Sequence, residues 1–188
     1  MSRRLVSFLL LAFLATAPAV ACDWLVVSGG SEVGFIAEQQ GARFRGGFER
    51  FAAEVDFDPA APTDGRIVGI VFTASVDTQN AERDDYLRSA DWFASERWPE
   101  ARFESRSIRA GDAPGRFVAD GLLQIRDASR EAAFVFDFQS APGSEQARLE
   151  GHIDIQRLDY GVGQGEWRNT DWVGNDVRIE VRLELRRP

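Results

Sequence analysis

Carboxylates are abundant in this chain, 30 in all, but they alternate with arginines, and no spacing assembles a catalytic set from them. The single histidine, His152, alternates with Glu150 and Asp154 along a stretch of polar and apolar residues, so we expect it on the solvent-facing side of a strand. A Ser-His-Asp triad cannot be assembled around it from the sequence. We therefore predict no catalytic residues and no enzymatic activity.

Three further patterns could bind a ligand or a metal, and each has a simpler explanation. Asp84-Asp85 could form half of a metal site, but no other ligands follow at useful spacing, and a helix cap beside a surface charge explains the pair better. The segment GVGQG (161–165) neither follows a buried parallel strand nor opens a helix, unlike a phosphate-binding loop. Cys22 is the only cysteine and cannot form an internal disulfide or a zinc cluster. We predict no metal and no cofactor.

The elements that must position any functional residue are strands, because hydrophobicity alternates with a period of two. In 177–187 (VRIEVRLELRR) apolar and charged residues alternate from Val177 to Arg186. A phase slip between Phe48 and Phe51 predicts a bulge. About eight strands are predicted, at roughly 31–38, 43–58, 66–76, 101–109, 116–126, 131–139, 147–157 and 176–187.

Residues 80–94 break this rhythm with helical spacing. Arg83 and Leu87 lie one turn apart, and either Thr78 or Asn80 could cap the helix. Because the insert joins two strands, we predict that it covers one end of the sheet structure. Antiparallel strands with one apolar face either stack as a sandwich or close as a barrel, and periodicity alone does not choose between them.

The N-terminus has the features of a cleaved signal peptide. Arg3 and Arg4 precede an apolar run over 5–14, and 19–21 (Ala-Val-Ala) forms a small-x-small cleavage site. The run is too short to span a bilayer, which needs about 20 residues. We predict a signal peptide over residues 1–21 and export to the periplasm.

The remaining chain, residues 22–188, is predicted to form a single domain. A lipoprotein acylated on Cys22 is the alternative to a freely secreted protein. The full chain carries a net charge of −8, and loss of the two arginines of the signal peptide makes it −10. This charge argues against nucleic acid and against anionic membrane surfaces as partners.

The most informative stretch is 75–105 (SVDTQNAERDDYLRSADWFASERWPEARFES). Its residues in order are Ser75-Val76-Asp77-Thr78, Arg83-Asp84, Leu87, Phe93, Pro99, Phe103 and Ser105, accompanied elsewhere by SEVGF (31–35), GGFERFAAEVDFD (46–58), RLDYGVG (157–163) and Asp176-Val177. This pattern resembles the YceI-like family, bacterial periplasmic proteins that bind lipids and polyisoprenoids. The resemblance implies an all-β fold: an eight-stranded antiparallel lipocalin-like barrel with a short helical insert covering one end.

A barrel of eight strands is just wide enough to be filled by side chains or to hold one small ligand. A solid core is therefore one interpretation of the inward residues, and the resemblance favours the other, an apolar cavity. Inward Gly46, Gly121 and Gly151 are expected to leave room in it. The residues predicted to line the cavity and contact a ligand are Phe35, Phe48, Leu87, Phe93, Phe103, Phe134, Phe136, Phe138 and Ile153.

A polar rim is predicted where the strands meet the barrel mouth. Its members, which either bind a head group or tie the covering helix to the strands, are Asp77, Thr78, Arg83, Asp84 and Arg157. Arg157 shares the inward phase of its strand, so its charge needs a partner. The sequence leaves two possible partners for Arg157: the phosphate of a ligand, or a carboxylate in an ion pair that fixes the covering helix or closes the barrel.

The resemblance implies a non-enzymatic protein that sequesters or carries a long-tailed isoprenoid or acyl-chain amphiphile. The alternative is an accessory module that docks on a membrane redox partner, a cytochrome or quinone protein, through the tryptophan-rich connection 167–172. A homodimer is left open.

Overall fold

A computed structural model describes residues 23–188, so the predicted signal peptide (1–21) and Cys22 lie outside the described residues. The described chain forms one antiparallel sheet and one α-helix. The strands are β1 (Asp23–Val26), β2 (Glu32–Gln39), β3 (Ala42–Phe48), β4 (Phe51–Asp56), β5 (Arg66–Phe72), β6 (Val76–Asp77), β7 (Glu100–Ala110), β8 (Arg116–Ile125), β9 (Ala128–Gln139), β10 (Gln146–Gln156) and β11 (Asp176–Arg186), and the helix is α1 (Ala81–Arg88).

The sheet closes on itself, which confirms the predicted eight-stranded barrel. Closure occurs at β1, which pairs with β4 on one side and with β11 on the other. Three of the eight wall strands consist of two segments each, namely β1 with β2, β3 with β4, and β5 with β6. For example, β2 and β1 pair in succession with the two halves of β11.

The irregularity predicted between Phe48 and Phe51 is a break at which the wall bends. β3 ends at Phe48 and β4 begins at Phe51. Across the break, the Ser75 hydroxyl accepts the Arg50 N–H and the Ser75 carbonyl accepts the Glu49 N–H, each at 3.0 Å. Because Ser75 lies in the 3-10 turn between β5 and β6, two neighbouring wall strands change direction at the same level.

One end of the barrel is filled by an aromatic plug, which consists of Trp24, Phe57, Phe117, Phe136 and Phe138. Phe57 lies at its centre, with ring centroids 4.9 Å from Phe117, 5.4 Å from Phe136 and 5.0 Å from Phe138. The Trp24 indole N–H donates to the Phe57 carbonyl at 2.9 Å, so its buried polar atom is satisfied. This end of the barrel is solid.

The opposite end is covered by α1 and the turns that follow it, residues 80–98, which we call the covering segment. Asn80 caps α1, since its Oδ1 accepts the Arg83 N–H at 3.0 Å. The helix is shorter than predicted and ends at Arg88, because Ser89 adopts an extended backbone. Within residues 23–188, no helix is long and apolar enough to cross a membrane.

The outer wall carries the charged phase of the strands. Arg178 donates to both carboxylate oxygens of Asp154, at 2.7 and 2.8 Å. Arg182 donates to Glu150 at 2.9 Å and to Glu32 at 3.0 Å. Exposed pairs of this kind contribute about 0–1 kcal/mol each. They mark the solvent-facing phase of β2, β10 and β11, and the alternate, apolar phase of these strands faces the barrel interior.

Candidate functional site

A cavity of about 490 Å³ lies between the aromatic plug and the covering segment. Most of its lining side chains are aromatic or aliphatic, and the polar ones, such as Gln39, Asn80 and Arg83, belong to the covered end. The volume falls within the range of about 300–1,000 Å³ that is typical of small-molecule sites. The barrel is therefore filled at one end only, and the other half forms an apolar chamber.

Most of the residues predicted for the cavity lie in its wall. These are Phe35, Phe48, Leu87, Phe93, Phe103, Phe134 and Ile153. Their rings contact one another across elements, with centroids 5.9 Å apart for Phe35 and Phe48, and again 5.9 Å apart for Phe48 and Phe93. Aromatic rings thus run from the strands onto the covering segment. Contact of these side chains with a ligand stays a prediction.

Phe136 and Phe138 lie outside the cavity wall, which corrects the sequence prediction. Both belong to the aromatic plug and are only 1% and 6% exposed. They share the inward face of β9 with Phe134, but β9 runs from the covered end towards the plug, so each successive inward residue lies deeper. A period of two identifies the face of a strand but not the depth of a residue in the barrel.

The open space in the cavity lies at Gly69, not at the glycines singled out in the sequence. At Gly46, Gly121 and Gly151, an added Cβ would collide with aromatic rings or main chain of neighbouring strands, so these positions are already filled. At Gly69 a Cβ would meet no heavy atom within 4 Å. Gly69 faces Ala53 in register across β4 and β5, so two minimal side chains adjoin at this part of the wall.

The Arg157 guanidinium is enclosed by main-chain carbonyls of the connection between β10 and β11. Nε donates to Gly174 (2.9 Å), Nη1 to Val162 (2.9 Å) and Gly163 (3.5 Å), and Nη2 to Trp167 (2.7 Å) and Val173 (2.8 Å). These bonds engage all five N–H groups. Arg157 is 2% exposed, and burial lowers its pKa. The predicted carboxylate pin is wrong: the partners are carbonyls, and no donor is left for a head group.

Arg126 ties the covering segment to the same connection, a role that the sequence did not reveal. Its Nη1 donates to the carbonyls of Trp92 and Gly161, the latter at 2.8 Å. Its Cζ lies 4.7 Å from the centre of the Trp98 ring. Desolvation lowers the pKa of this half-buried group. An arginine in the turn between β8 and β9 gives no sequence signal of burial.

Among the other predicted rim residues, only Arg83 lines the cavity. Asp84 is buried, and its Oδ1 accepts the N–H of Thr78 at 2.8 Å and the Thr78 hydroxyl at 2.7 Å, which fixes α1 to the end of β6. Asp77 is exposed and accepts the N–H of Gln79 at 2.7 Å. The contacts of Asp77, Thr78 and Asp84 are thus made within the protein itself.

The residues with catalytic potential lie away from the cavity. The His152 side chain is 37% exposed on the outer wall, with Nε2 3.8 Å from Asp154 Oδ2. Hydrogen bonds from Arg178 hold the pKa of Asp154 below its ordinary value. In 161–165, the three glycines have positive φ angles of 68°, 84° and 61°, so this segment forms tight turns. In the part of the chain that the structure describes, no group of three or more His, Cys, Asp or Glu side chains could hold a metal ion.

The two tryptophans of the connection 167–172 differ in exposure. Trp172 is 57% exposed. Trp167 packs between Tyr86 and Trp92, with ring centroids 5.6 Å from each. Both tryptophans line the cavity, so they help to close its mouth. Docking on a redox partner stays a prediction, and Trp172 is the member of the pair that could take part in it.

This chain is similar in sequence to known proteins along most of its length. The family model of the YceI-like domain matches residues 24–185. A UPF0312 protein of Pseudomonas fluorescens is 31% identical over 161 residues, covering 80% of this chain and 81% of the relative. Protein YceI of Escherichia coli is 29% identical over 151 residues, covering 77% and 78% of the two chains.

The fold is also similar to that of solved structures. BcnA of Burkholderia cenocepacia superposes with a TM-score of 0.80 at 27% identity, covering 85% of this chain and 98% of that one. A polyisoprenoid binding domain from Saccharophagus degradans superposes with a TM-score of 0.66 at 14% identity, covering 89% and 99%. At 14% identity, the similarity to the Saccharophagus degradans domain is a similarity of fold.

Proposed function

The chain belongs to the YceI-like domain family, and we propose that it binds a long-tailed isoprenoid or acyl amphiphile in its cavity. The observation that carries the proposal is the apolar chamber of about 490 Å³ between the aromatic plug and the covering segment. An apolar tail is the ligand chemistry that such a wall favours. The Saccharophagus degradans domain, which shares the fold, is named for polyisoprenoid binding, the same class of ligand.

Burial of the tail supplies the affinity, at about 0.8 kcal/mol per CH₂ group removed from water. The wall contacts the tail through rings such as Phe35, Phe48 and Phe93. One methylene more or less therefore changes the binding free energy by only about 1 kcal/mol, so selectivity among tails is weak. Isoprenoid and acyl tails of similar length are therefore both accepted, and the protein sequesters or carries its ligand.

Binding without catalysis agrees with the position of the charged groups. Four charged residues line the cavity: Glu82 and Arg83 belong to α1, Arg157 follows β10 at the covered end, and Arg102 of β7 pairs with Glu104. Arg157 donates to main-chain carbonyls only, and His152 lies on the outer wall. A tail in the chamber would meet hydrocarbon walls, so the ligand leaves as it entered.

Filling the cavity from Gly69 is expected to weaken binding and leave the fold intact. In Gly69→Leu the new side chain enters open space, since no heavy atom lies within 4 Å of the Cβ position. Displacing two or more methylenes of the tail lowers affinity by about tenfold or more. Glycine weakens a strand interior by roughly 0.5–1 kcal/mol, so the free energy of unfolding should be unchanged or slightly raised. Calorimetric titration with geranylgeraniol and urea denaturation measure the two effects.

The matched control for this experiment is Gly29→Leu. Gly29 also has no heavy atom within 4 Å of its Cβ position, but it is exposed outside the cavity. The control should bind geranylgeraniol like the wild type. Equal binding by the Gly69 variant would contradict a ligand site inside the barrel, and a wild type that binds neither geranylgeraniol nor palmitate would overturn the proposed function.

The proposal includes export to the periplasm, supported by Arg3 and Arg4, the apolar run 5–14 and the small residues at 19–21. We expect the mature protein to begin at Cys22. Intact-mass spectrometry of protein isolated from its native host reads the N-terminus directly, and a mass increased by acyl chains identifies the lipoprotein alternative. A protein that retains Arg3 and Arg4 would contradict export with cleavage.

A further inference from the structure

Three arginines line the cavity, and they differ in what their guanidinium groups contact. Arg157 donates all five of its N–H groups to main-chain carbonyls. Arg102 donates to Glu104 at 2.9 Å. Arg83 makes no hydrogen bond or ion pair through its guanidinium within residues 23–188, although its Nε is buried. Arg83 is therefore the cavity-lining cation that lacks a hydrogen-bond partner. A buried donor without an acceptor is destabilising, which favours binding of an acceptor from a ligand.

Arg83 is nevertheless held in place. Its Cζ lies 4.1 Å from the centre of the Phe44 ring, and Phe44 lines the same cavity. The ring contacts one face of the guanidinium, and the N–H groups, which point outward in the guanidinium plane, stay free to donate. A fixed planar fork of donors is suited to an oxyanion, which it can bind through two parallel hydrogen bonds.

The charge of Arg83 is also uncompensated by neighbouring carboxylates. Asp84 accepts from Thr78, and Asp85 pairs with Arg88 at 3.2 Å. Glu82 lines the cavity and is exposed, and it is not within ion-pair distance of Arg83. In a chain whose net charge is −8, an unpaired cation at the mouth of an apolar chamber creates a local site for an anion.

We propose that Arg83, stacked on Phe44, is a head-group subsite that binds the phosphate of an amphiphile whose tail fills the cavity. This inference rests on the proposed function and adds the orientation of the ligand. The tail lies towards Gly69, and an anionic oxygen group lies at the mouth of the cavity. It also separates the members of the predicted rim, since Asp77, Thr78, Asp84 and Arg157 bond to the protein. Arg83 is the specificity-determining residue.

The test compares two ligands with the same tail, geranylgeraniol and geranylgeranyl monophosphate, by calorimetric titration. Wild type is expected to bind the phosphate about ten- to a hundredfold more tightly than the alcohol, as a charge-assisted pair would provide. Arg83→Gln should lose that preference, so that it binds the phosphate and the alcohol with similar affinity. Raising the salt concentration should weaken phosphate binding in wild type but not in the variant.

The control is Arg43→Gln, which removes one exposed positive charge from the same strand as Phe44 but outside the cavity wall. It should keep the full preference for the phosphate. If Arg43→Gln lowers the preference as much as Arg83→Gln, only the overall charge matters and the subsite is overturned. Equal binding of alcohol and phosphate by wild type overturns it too, and leaves the proposed function standing. If neither ligand binds, both inferences fail.

Inorganic phosphate distinguishes a lipid head group from a free ion. It should compete with geranylgeranyl monophosphate only weakly, because it lacks the tail whose burial supplies most of the affinity. Inorganic phosphate that binds as tightly as the prenyl phosphate would overturn the head-group assignment in favour of a free-anion site.

Discussion

Replacing Phe136 by aspartate is expected to leave the protein unable to fold. Phe136 is 1% exposed, and its ring centroid lies 5.2 Å from Phe134, 5.4 Å from Phe57 and 5.7 Å from Phe117. Loss of the ring alone costs about 3–5 kcal/mol. A buried carboxylate without a donor adds several kcal/mol. Together these exceed or equal the total stability of many domains, about 5–15 kcal/mol. Soluble yield and far-UV circular dichroism measure the outcome.

Two variants show whether the effect belongs to the plug. Phe136→Leu keeps an apolar side chain and should fold with reduced stability and normal ligand binding, because Phe136 lies outside the cavity wall. His152→Ala alters an exposed residue and should change stability by less than about 0.5 kcal/mol. A folded Phe136→Asp protein would contradict the plug. Lost function in a stable His152→Ala protein would revive an enzymatic interpretation.

Arg157→Ala is expected to lower the free energy of unfolding by about 3–5 kcal/mol. The change removes the donor for five main-chain carbonyls between residues 162 and 174. Each buried polar group left unpaired costs about 1–3 kcal/mol, and those that regain water cost less. Arg157→Lys should recover only part of the loss, since an ammonium has three donors. Urea denaturation followed by tryptophan fluorescence gives the midpoint and slope.

Arg178→Ala provides the matched control, because it removes an arginine that is paired with Asp154 on the outer wall. An exposed pair contributes about 0–1 kcal/mol, so the midpoint should move little. If Arg157→Ala lowers stability as little as Arg178→Ala, the hydrogen bonds from Arg157 to the main-chain carbonyls do not stabilise the covered end of the barrel.

The wall of the barrel could be predicted from the sequence because alternation is a local property. The strands β7 to β11 lie close to the predicted ranges, and even the break after Phe48 was visible as a phase slip. Position along the barrel axis is not local, so Phe134 and Phe136 looked equivalent although one lines the cavity and the other fills the plug. Only the stagger of neighbouring strands decides which level a residue occupies.

The candidate site was predicted in part for a related reason. Gly46, Gly69 and Gly151 all have inward phases, but a glycine leaves space only when no neighbouring ring fills it, and that depends on the adjacent strand. For Arg157, the inward phase correctly indicated a need for a partner. The partner itself was not predictable, because every residue has a carbonyl and only the three-dimensional course of the connection selects five of them.

Because the space next to Gly69 is empty, the volume of the cavity can change without a change in the contacts that stabilise the barrel. The aromatic plug, the hydrogen bonds between wall strands and the hydrogen bonds of Arg126 and Arg157 stabilise the fold. None of these contacts uses the empty space next to Gly69. Capacity can therefore change by single substitutions at residue 69, with each larger side chain shortening the chamber from one side. Related barrels could diverge in ligand size through such a step while every wall strand stays in register. For protein engineering, residue 69 is accordingly the place to resize the chamber.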